Sequence, residues 1–196
     1  DFILAPINVN FENTAANHAG VPQPACNHCG DCVSGCNVGA KNTTAMNYLP
    51  DAVNHGAAIF CETKVSRIAQ VGGQWRVYYQ PLGLHRDVFD APELFVFADT
   101  VVVAAGTLGS SEIMLRSRQQ GLSLSDKLGQ HFTGNGDVLA FAYNCDQPIN
   151  GIGFGGNTAL GREPVGPCIT SVIDCRADAG EEGMVIEEGS LPGLMA

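Results

Sequence analysis

Four cysteines fall within eleven residues near the start of the chain, in the segment ACNHCGDCVSGCN. They are Cys26, Cys29, Cys32 and Cys36, so their spacing is C-x2-C-x2-C-x3-C. This is the bacterial ferredoxin spacing for an iron–sulfur cluster, although Asn37 replaces the proline that usually follows the last cysteine. The run therefore predicts a [4Fe–4S] cluster with these four thiolates as metal ligands.

The identity of the fourth ligand is open. In two-cluster ferredoxins the last cysteine of such a run binds the other cluster, and this chain has only one run. Either Cys36 turns back to complete the site, or a distant cysteine does so. His28 is an alternative ligand, although a histidine in such a loop is more often simply solvated. The distant candidates are Cys61, Cys145, Cys168 and Cys175.

Three other interpretations of the cysteine run also stay open. Four thiolates suit zinc, but the sequence lacks the two separated C-x-x-C pairs of most zinc sites. Disulfides within the run are hindered by its tight spacing, and clustered cysteines in a chain of this length are typical of a reducing, cytoplasmic setting. The run can also be the remnant of a site that folds without metal.

A second candidate site lies where an apolar segment meets glycines, in DTVVVAAGTLGSSE. Residues 101–105 are apolar without alternation, which predicts a parallel strand buried on both faces. Gly106, Gly109 and a helix through 113–115 follow it. In open α/β sheets, ligands bind beyond the carboxyl ends of strands, where glycines let a cofactor approach the backbone. An ordinary strand–turn–helix corner would leave the same pattern, and no G-x-G-x-x-G fingerprint accompanies it.

The elements that must position these residues are short. Residues 1–24 are predicted to form an extended loop, and residues 43–55 a helix that Pro50 interrupts and Gly56 ends. The pair Gly72-Gly73 predicts a hairpin within a small antiparallel meander. Strands are predicted at residues 57–61, 63–70, 74–80, 85–90, 94–98, 101–105, 138–144, 168–175 and 183–189.

Composition limits the classes of partner. The chain has 196 residues, 45% of them hydrophobic, which is enough for a substantial core. Its net charge of −10 disfavours nucleic acid and anionic membrane surfaces. The most apolar window, residues 94–105, is too short to span a bilayer, and no signal peptide is visible. We therefore expect no nucleic-acid partner and no membrane span.

Three segments resemble the glucose–methanol–choline (GMC) family of flavin oxidoreductases, and most of all its bacterial cholesterol oxidase branch. They are KNTTAMNYLPDAVNHGAAIFCETKVSRI (41–68), VVVAAGTLGSSEIMLRSR (101–118) and TGNGDVLAFAYN (133–144). The most specific piece, AGTLGSSE, looks like the family's second signature, whose strand lies next to the FAD. The resemblance implies an FAD-dependent alcohol oxidoreductase, of which this chain is a central fragment.

The resemblance also implies roles for four residues. Val65 matches the valine whose backbone meets the adenine, Gly106 would allow close packing against the dinucleotide, and Asn135 lies in a turn similar to one near the flavin. Glu187, in VIEEGSLPGL, aligns with a glutamate that faces the steroid hydroxyl, so it is the expected catalytic base. Ser190 replaces a proline of that branch. Structural interpretations stay open: strand core for Val65, turn residues for Gly106 and Asn135, and a solvated acid for Glu187.

Together these features predict a mixed α/β fold: part of a Rossmann-like FAD-binding domain with an inserted antiparallel meander, leading into a β-rich substrate domain. The expected domains are residues 1–42 with the cysteine run, 43–144 in the FAD domain and 145–196 at the start of the substrate domain. The leading function is hydride transfer from a bulky alcohol, such as a sterol, to flavin, with an electron acceptor as a further partner. The alternatives are an iron–sulfur electron-transfer module and a cofactor-free structural fragment.

Overall fold

The computed structural model describes residues 1–86, 91–154, 163–176 and 183–195. Within these ranges the protein is a mixed α/β structure, as predicted, with two antiparallel sheets of three strands each. None of the helices in these ranges is long and apolar enough to cross a membrane. The elements are β1 (Phe2–Leu4), α1 (Tyr48–Asn54), β2 (Thr63–Val71), β3 (Gln74–Pro81), β4 (Leu94–Ala98), α2 (Gly106–Gln119), β5 (Ser171–Asp174) and β6 (Val185–Glu187), with 3-10 turns at Thr44–Met46 and Gly193–Met195.

The chain divides into two compact units. The first unit contains Asp1–Ala58 together with Ala142–Ala196, and the second contains Ile59–Phe141. The cysteine run therefore belongs to the first unit, and the glycine turn before α2 belongs to the second. The three domains expected from the sequence remain a prediction.

The first unit is built on a sheet of order β1-β5-β6. β1 pairs with β5 through Phe2 and Ile173, so a strand forms inside the segment that was expected to be a loop. β5 and β6 confirm two predicted strands, although both are shorter than predicted.

α1 confirms the predicted helix. Pro50 is tolerated in its first turn, where backbone N–H groups have no partner within the helix. Gly56 follows the helix at φ +89°, a conformation that glycine adopts without strain.

The second unit is built on the predicted meander. Gly72 and Gly73 have φ of 60° and 86°, and Val71 pairs directly with Gln74, so the loop is the two-residue turn that matches strand twist. β4 then pairs with β3, giving the order β2-β3-β4. Of the strand predicted at 85–90, residues 87–90 lie outside the described residues.

Three predicted strands are wrong. Residues 57–61, 101–105 and 138–144 form no strand in the described structure. The segment 101–105 was expected to be buried on both faces, yet the Val102 side chain is 84% exposed. A parallel strand is buried only when strands pair with both of its edges and helices cover its faces. Among the described residues, no strand pairs with this segment.

Candidate functional site

An open cleft of about 570 Å³ lies in the second unit. This volume is within the range of roughly 300–1,000 Å³ that is typical of small-molecule sites. Its lining combines Val65 on β2, the segment 101–105 and residues of α2 between Gly109 and Arg116. The structure thus brings together Val65 and the apolar segment before Gly106, which the sequence had linked only through the family resemblance.

The cleft side of β2 is irregular. β2 lies at the edge of its sheet, and its register with β3 shifts between Val65 and Arg67, which marks a bulge at Ser66. A bulge bends a strand and changes the direction of neighbouring backbone groups and side chains. An edge strand also has backbone groups with no partner strand. β2 therefore has one edge that pairs with no strand among the described residues, and the adenine contact of Val65 stays a prediction.

α2 is held against β2 by a buried polar contact. Ser117 has no exposed surface. Its hydroxyl accepts a hydrogen bond from the backbone N–H of Ile68 at 2.8 Å and donates one to the carbonyl of Ile113 at 2.7 Å. Ile68 and Ile113 are themselves buried, at 4% and 9% exposure. This contact fixes one wall of the cleft relative to the other.

The N-terminus of α2 adjoins the cleft lining. The helix begins at Gly106, whose φ of +72° favours glycine, although a Cβ there would meet no atom within 4 Å. Ala105 provides no side-chain cap, and the first turn of α2 contains no acidic residue. Backbone N–H groups and the positive end of the helix dipole are therefore open to an anionic group. The charged side chains of the cleft are Lys64 and the ion pair of Glu112 with Arg116.

Asn135 and Glu187 are not among the residues that line this cleft, and Gly106 only follows the lining residue Ala105. Asn135 is exposed and has a φ of +65°, consistent with a turn residue, but it does not line the cleft. Glu187 belongs to the first unit, where it is exposed on β6 and pairs with Val172. The flavin role of Asn135 and the catalytic role of Glu187 stay predictions.

The neighbouring acid, Glu188, has a structural role. Its carboxylate accepts hydrogen bonds from the backbone N–H and the hydroxyl of Thr170. Burial by itself would raise the pKa of Glu188, but these hydrogen bonds outweigh it and hold the pKa below its usual value. The two adjacent acids therefore differ: Glu188 fastens β6 to the segment before β5, and the Glu187 side chain is exposed.

The four cysteines of the run line one cavity in the first unit. Asp31 and Lys41 line it as well. The cavity holds about 10 Å³, which is room for about one water molecule. Within the described residues, no three His, Cys, Asp or Glu side chains are close enough to hold a metal ion. The thiols therefore gather as the spacing predicts, but the space does not fit a [4Fe–4S] cluster in this conformation.

The thiols of the run differ in acidity. Burial raises the pKa of the Cys29 and Cys32 thiols. Burial opposes ionisation at Cys36 too, but the backbone N–H groups of residues 38–41 near its sulfur lower its pKa. The N–H of Lys41 lies 3.4 Å from that sulfur. Among these three thiols, Cys36 is the one whose ionised form the neighbouring backbone amides favour.

Sequence reasoning missed several residues that hold the cysteine loop. Asp31 is only 3% exposed, its Oδ1 accepts a hydrogen bond from the N–H of Gly193 at 2.9 Å, and its Oδ2 is buried with no partner among the described residues. Ser190 is buried and donates to the carbonyl of Gly30 at 2.7 Å. The Sγ of Cys168 lies 2.8 Å from the Ser190 hydroxyl. Two sequence signals pointed to this region: Ser190 replaces a family proline, and Cys168 was a candidate distant ligand of the run.

Comparison with known proteins gives one family. The GMC oxidoreductase family model matches residues 6–133. A cholesterol oxidase from Acinetobacter baumannii is 31% identical over 128 residues, 63% of this chain and 23% of that protein. A cholesterol oxidase from Mycobacterium tuberculosis is 36% identical over 118 residues, 57% of this chain and 19% of that protein. A long-chain-alcohol oxidase from Arabidopsis thaliana is 28% identical over 191 residues, 93% of this chain and 24% of that protein.

The chain spans less than a quarter of the length of each of these relatives. No solved structure matches it significantly.

Proposed function

Because the chain belongs to the GMC oxidoreductase family, we propose that it forms part of an FAD-dependent enzyme that oxidises alcohols. The observation that carries the proposal is the cleft in which Val65 and residues 101–105 meet. The family resemblance implies that Val65 lies at the adenine and that residues 101–105 lie next to the FAD. The two segments are separate in the sequence, yet they line one volume suited to part of a nucleotide.

The residues of this cleft suit FAD in two respects. Its apolar lining and the edge of β2 offer hydrocarbon and backbone groups to a flat ring system. The uncapped first turn of α2 offers N–H groups and the positive end of the helix dipole to a phosphate. Bound FAD would supply the acceptor for the hydride that leaves the hydroxyl-bearing carbon. The tasks of this chain are then to hold the nucleotide and to exclude water from part of its surface.

Alcohol oxidation also requires a base for the hydroxyl proton, and we assign that role to Glu187. Its carboxylate would accept the proton while the carbon loses hydride, so the alcohol becomes an aldehyde or ketone. The neighbouring Glu188 is a poor alternative because its Oε1 accepts two hydrogen bonds from Thr170, which hold the pKa of Glu188 below its usual value. Asn135 is proposed to contact the flavin from its turn.

We propose a bulky, apolar alcohol as the substrate class. Support comes from the names of the relatives, two cholesterol oxidases and a long-chain-alcohol oxidase. The absence of disulfides among the eight cysteines is consistent with a cytoplasmic location, which we propose together with an electron acceptor that reoxidises the flavin.

The second candidate is an iron–sulfur electron-transfer module. It is supported by four thiols and a cationic Lys41 around one cavity, and by the unpartnered Oδ2 of Asp31 beside them. Against it stand the small volume of the cavity and the lack of a close ligand set among the described residues. A cluster would therefore require the loop to open.

An absorption spectrum of the intact protein, purified without oxygen, separates the two candidates. Twin flavin bands with no iron would support the alcohol oxidoreductase alone. A broad brown shoulder that bleaches on reduction, with iron and sulfide in the sample, would support the cluster. A colourless intact protein would contradict both.

A further inference from the structure

The cysteine loop is tied to the C-terminal part of the first unit by backbone hydrogen bonds. The carbonyl of His28 accepts from the N–H groups of Val165 and Gly166, at 3.1 and 3.0 Å. The carbonyl of Cys29 accepts from the N–H of Phe154 at 3.0 Å. Bonds from three residues of the far segment therefore position it against residues 28–30.

Glycines make this contact close. A Cβ at Gly166 would lie 2.9 Å from the Gly30 backbone, and a Cβ at Gly153 would lie 2.8 Å from the Cys29 carbonyl. Real Cβ atoms do not approach other atoms to such distances, so side chains at these positions would push the two segments apart. The loop and the far segment are thus in direct backbone contact, and Cys168 lies two residues beyond Gly166.

This contact brings the Cys168 thiol to the run. Cys168 Sγ lies 3.7 Å from the carbonyl of Gly30 and 2.8 Å from the hydroxyl of Ser190, which itself donates to Gly30. Burial raises the pKa of the Cys32 thiol, and the nearby Cys168 is among the groups that also act on that pKa. Both cysteines are half-buried, so a small oxidant can reach them. The other cysteines of the far segment, Cys145 and Cys175, are exposed.

We propose that Cys32 and Cys168 form an oxidative modification site: a thiol pair that a peroxide converts to a disulfide. One thiol attacks the peroxide, giving a sulfenic acid and water, and the second thiol displaces another water as the S–S bond forms. With hydrogen peroxide, the two thiols together lose two electrons and two protons, and one hydrogen peroxide molecule is reduced to two water molecules. A thiol reductant reverses the change. The inference does not depend on the proposed flavin chemistry.

The C-x-x-C pair of Cys29 and Cys32 is the competing partnership. Cys29 is buried, at 7% exposure, whereas Cys168 is half-buried and its Sγ lies 3.7 Å from the carbonyl of Gly30, two residues before Cys32. Cys36 has the more acidic thiol, but its sulfur is held by backbone amides of its own loop. Geometry therefore favours the long-range pair, which would join segments 136 residues apart in the sequence.

The test is peptide mapping of the intact protein. The protein is treated with hydrogen peroxide, its free thiols are alkylated, and the unreduced digest is analysed by mass spectrometry. We expect a linked peptide that contains Cys32 and Cys168, and its loss on treatment with dithiothreitol. The proposal would be overturned if Cys32 were linked to Cys29 or Cys36 instead. Full alkylation of Cys32 and Cys168 after peroxide, with or without bound iron, would also overturn it.

A stability measurement provides a second readout. Because the disulfide closes a long loop, peroxide should raise the midpoint of thermal unfolding by on the order of 10 °C. Cys168→Ser should abolish this rise. Cys175→Ser is the matched control, since Cys175 belongs to the same unit but is exposed, and it should keep the rise. A rise of the same size in Cys168→Ser would contradict the assignment. If that variant fails to fold, the peptide map of the protein without substitutions decides the question.

Discussion

The hydroxyl of Ser117 accepts a hydrogen bond from the backbone N–H of Ile68 at 2.8 Å, and this bond joins α2 to the edge strand β2 in the second unit. Both residues are buried. The same strand and helix line the proposed nucleotide cleft. The contact is therefore part of what holds that cleft in shape.

Replacing Ser117 by alanine should destabilise the second unit. The change leaves the N–H of Ile68 buried without an acceptor, which costs about 1–3 kcal/mol. Chemical denaturation of the intact protein, followed by the fluorescence of Trp75, measures the effect. Ser111→Ala is the control, because its hydroxyl on the same helix makes no hydrogen bond with the described residues. Equal midpoints for the two variants would show that the Ser117 contact contributes little.

Gly106→Ala separates backbone strain from cofactor contact. Gly106 and Gly121 flank α2, both have positive φ, and a Cβ at either would meet no protein atom within 4 Å. Alanine should cost about 1 kcal/mol of stability at each position, because both need a left-handed backbone. Gly106 directly follows Ala105, which lines the cleft, whereas Gly121 lies beyond the other end of α2. Only Gly106→Ala should therefore weaken FAD retention, by roughly tenfold if the Cβ costs about 1.4 kcal/mol of binding. Flavin content after dialysis gives the result, and similar losses in both variants would argue against a nucleotide beside Gly106.

Glu187→Gln tests the proposed base. Loss of a general base slows proton transfer by about 10²- to 10⁴-fold, so flavin reduction by an alcohol should slow by that factor while flavin binding stays unchanged. Glu188→Gln is the matched control, and in this variant the alcohol should reduce the flavin at close to the normal rate. Stopped-flow absorbance of the intact protein measures both. A normal rate in Glu187→Gln would remove this residue from the mechanism.

Glu188 should contribute a pH-dependent part of the stability. Hydrogen bonds from Thr170 lower its folded-state pKa, so the unfolded chain binds more protons than the folded one between the two pKa values. The contribution is present at neutral pH and is lost as the pH falls below the usual range of a glutamate, through the lowered pKa. Unfolding midpoints measured from pH 7 downward should fall less steeply for Glu188→Gln. Parallel curves for the two proteins would contradict this.

Of Cys29, Cys32 and Cys36, we expect Cys36 to alkylate at the lowest pH. The amides of residues 38–41 lower its pKa, whereas burial raises the pKa values of Cys29 and Cys32. Because the thiolate is the nucleophile, iodoacetamide should modify Cys36 first at neutral pH and reach the other two only as the pH rises. Mass spectrometry of time points across the pH range gives the order. Earlier labelling of Cys29 would mean that these amides do not hold the thiolate.

Features set by neighbouring residues could be predicted from the sequence. The hairpin at Gly72-Gly73 depends on two positive φ angles, and the helix α1 depends on where Pro50 and Gly56 are tolerated. Both are local and both are confirmed. The gathering of the four cysteines around one cavity also follows from their close spacing.

Features set by distant partners could not be predicted in this way. The segment 101–105 has the composition of a buried strand, but burial depends on strands that must pair with it, and no described strand does. The bond between Ser117 and Ile68 joins residues 49 positions apart, and no spacing rule relates them. The approach of Cys168 to the run likewise depends on backbone contacts near Gly30 and Gly166, which no sequence pattern encodes.

The measurement that tests the central proposal most directly is anaerobic mixing of the intact protein with a long-chain primary alcohol or a sterol, with its visible spectrum recorded. We predict bands of oxidised flavin before mixing and their bleaching afterwards, as hydride passes from the alcohol to the cofactor. An intact, folded protein without flavin bands that also fails to take up added FAD would contradict the proposal.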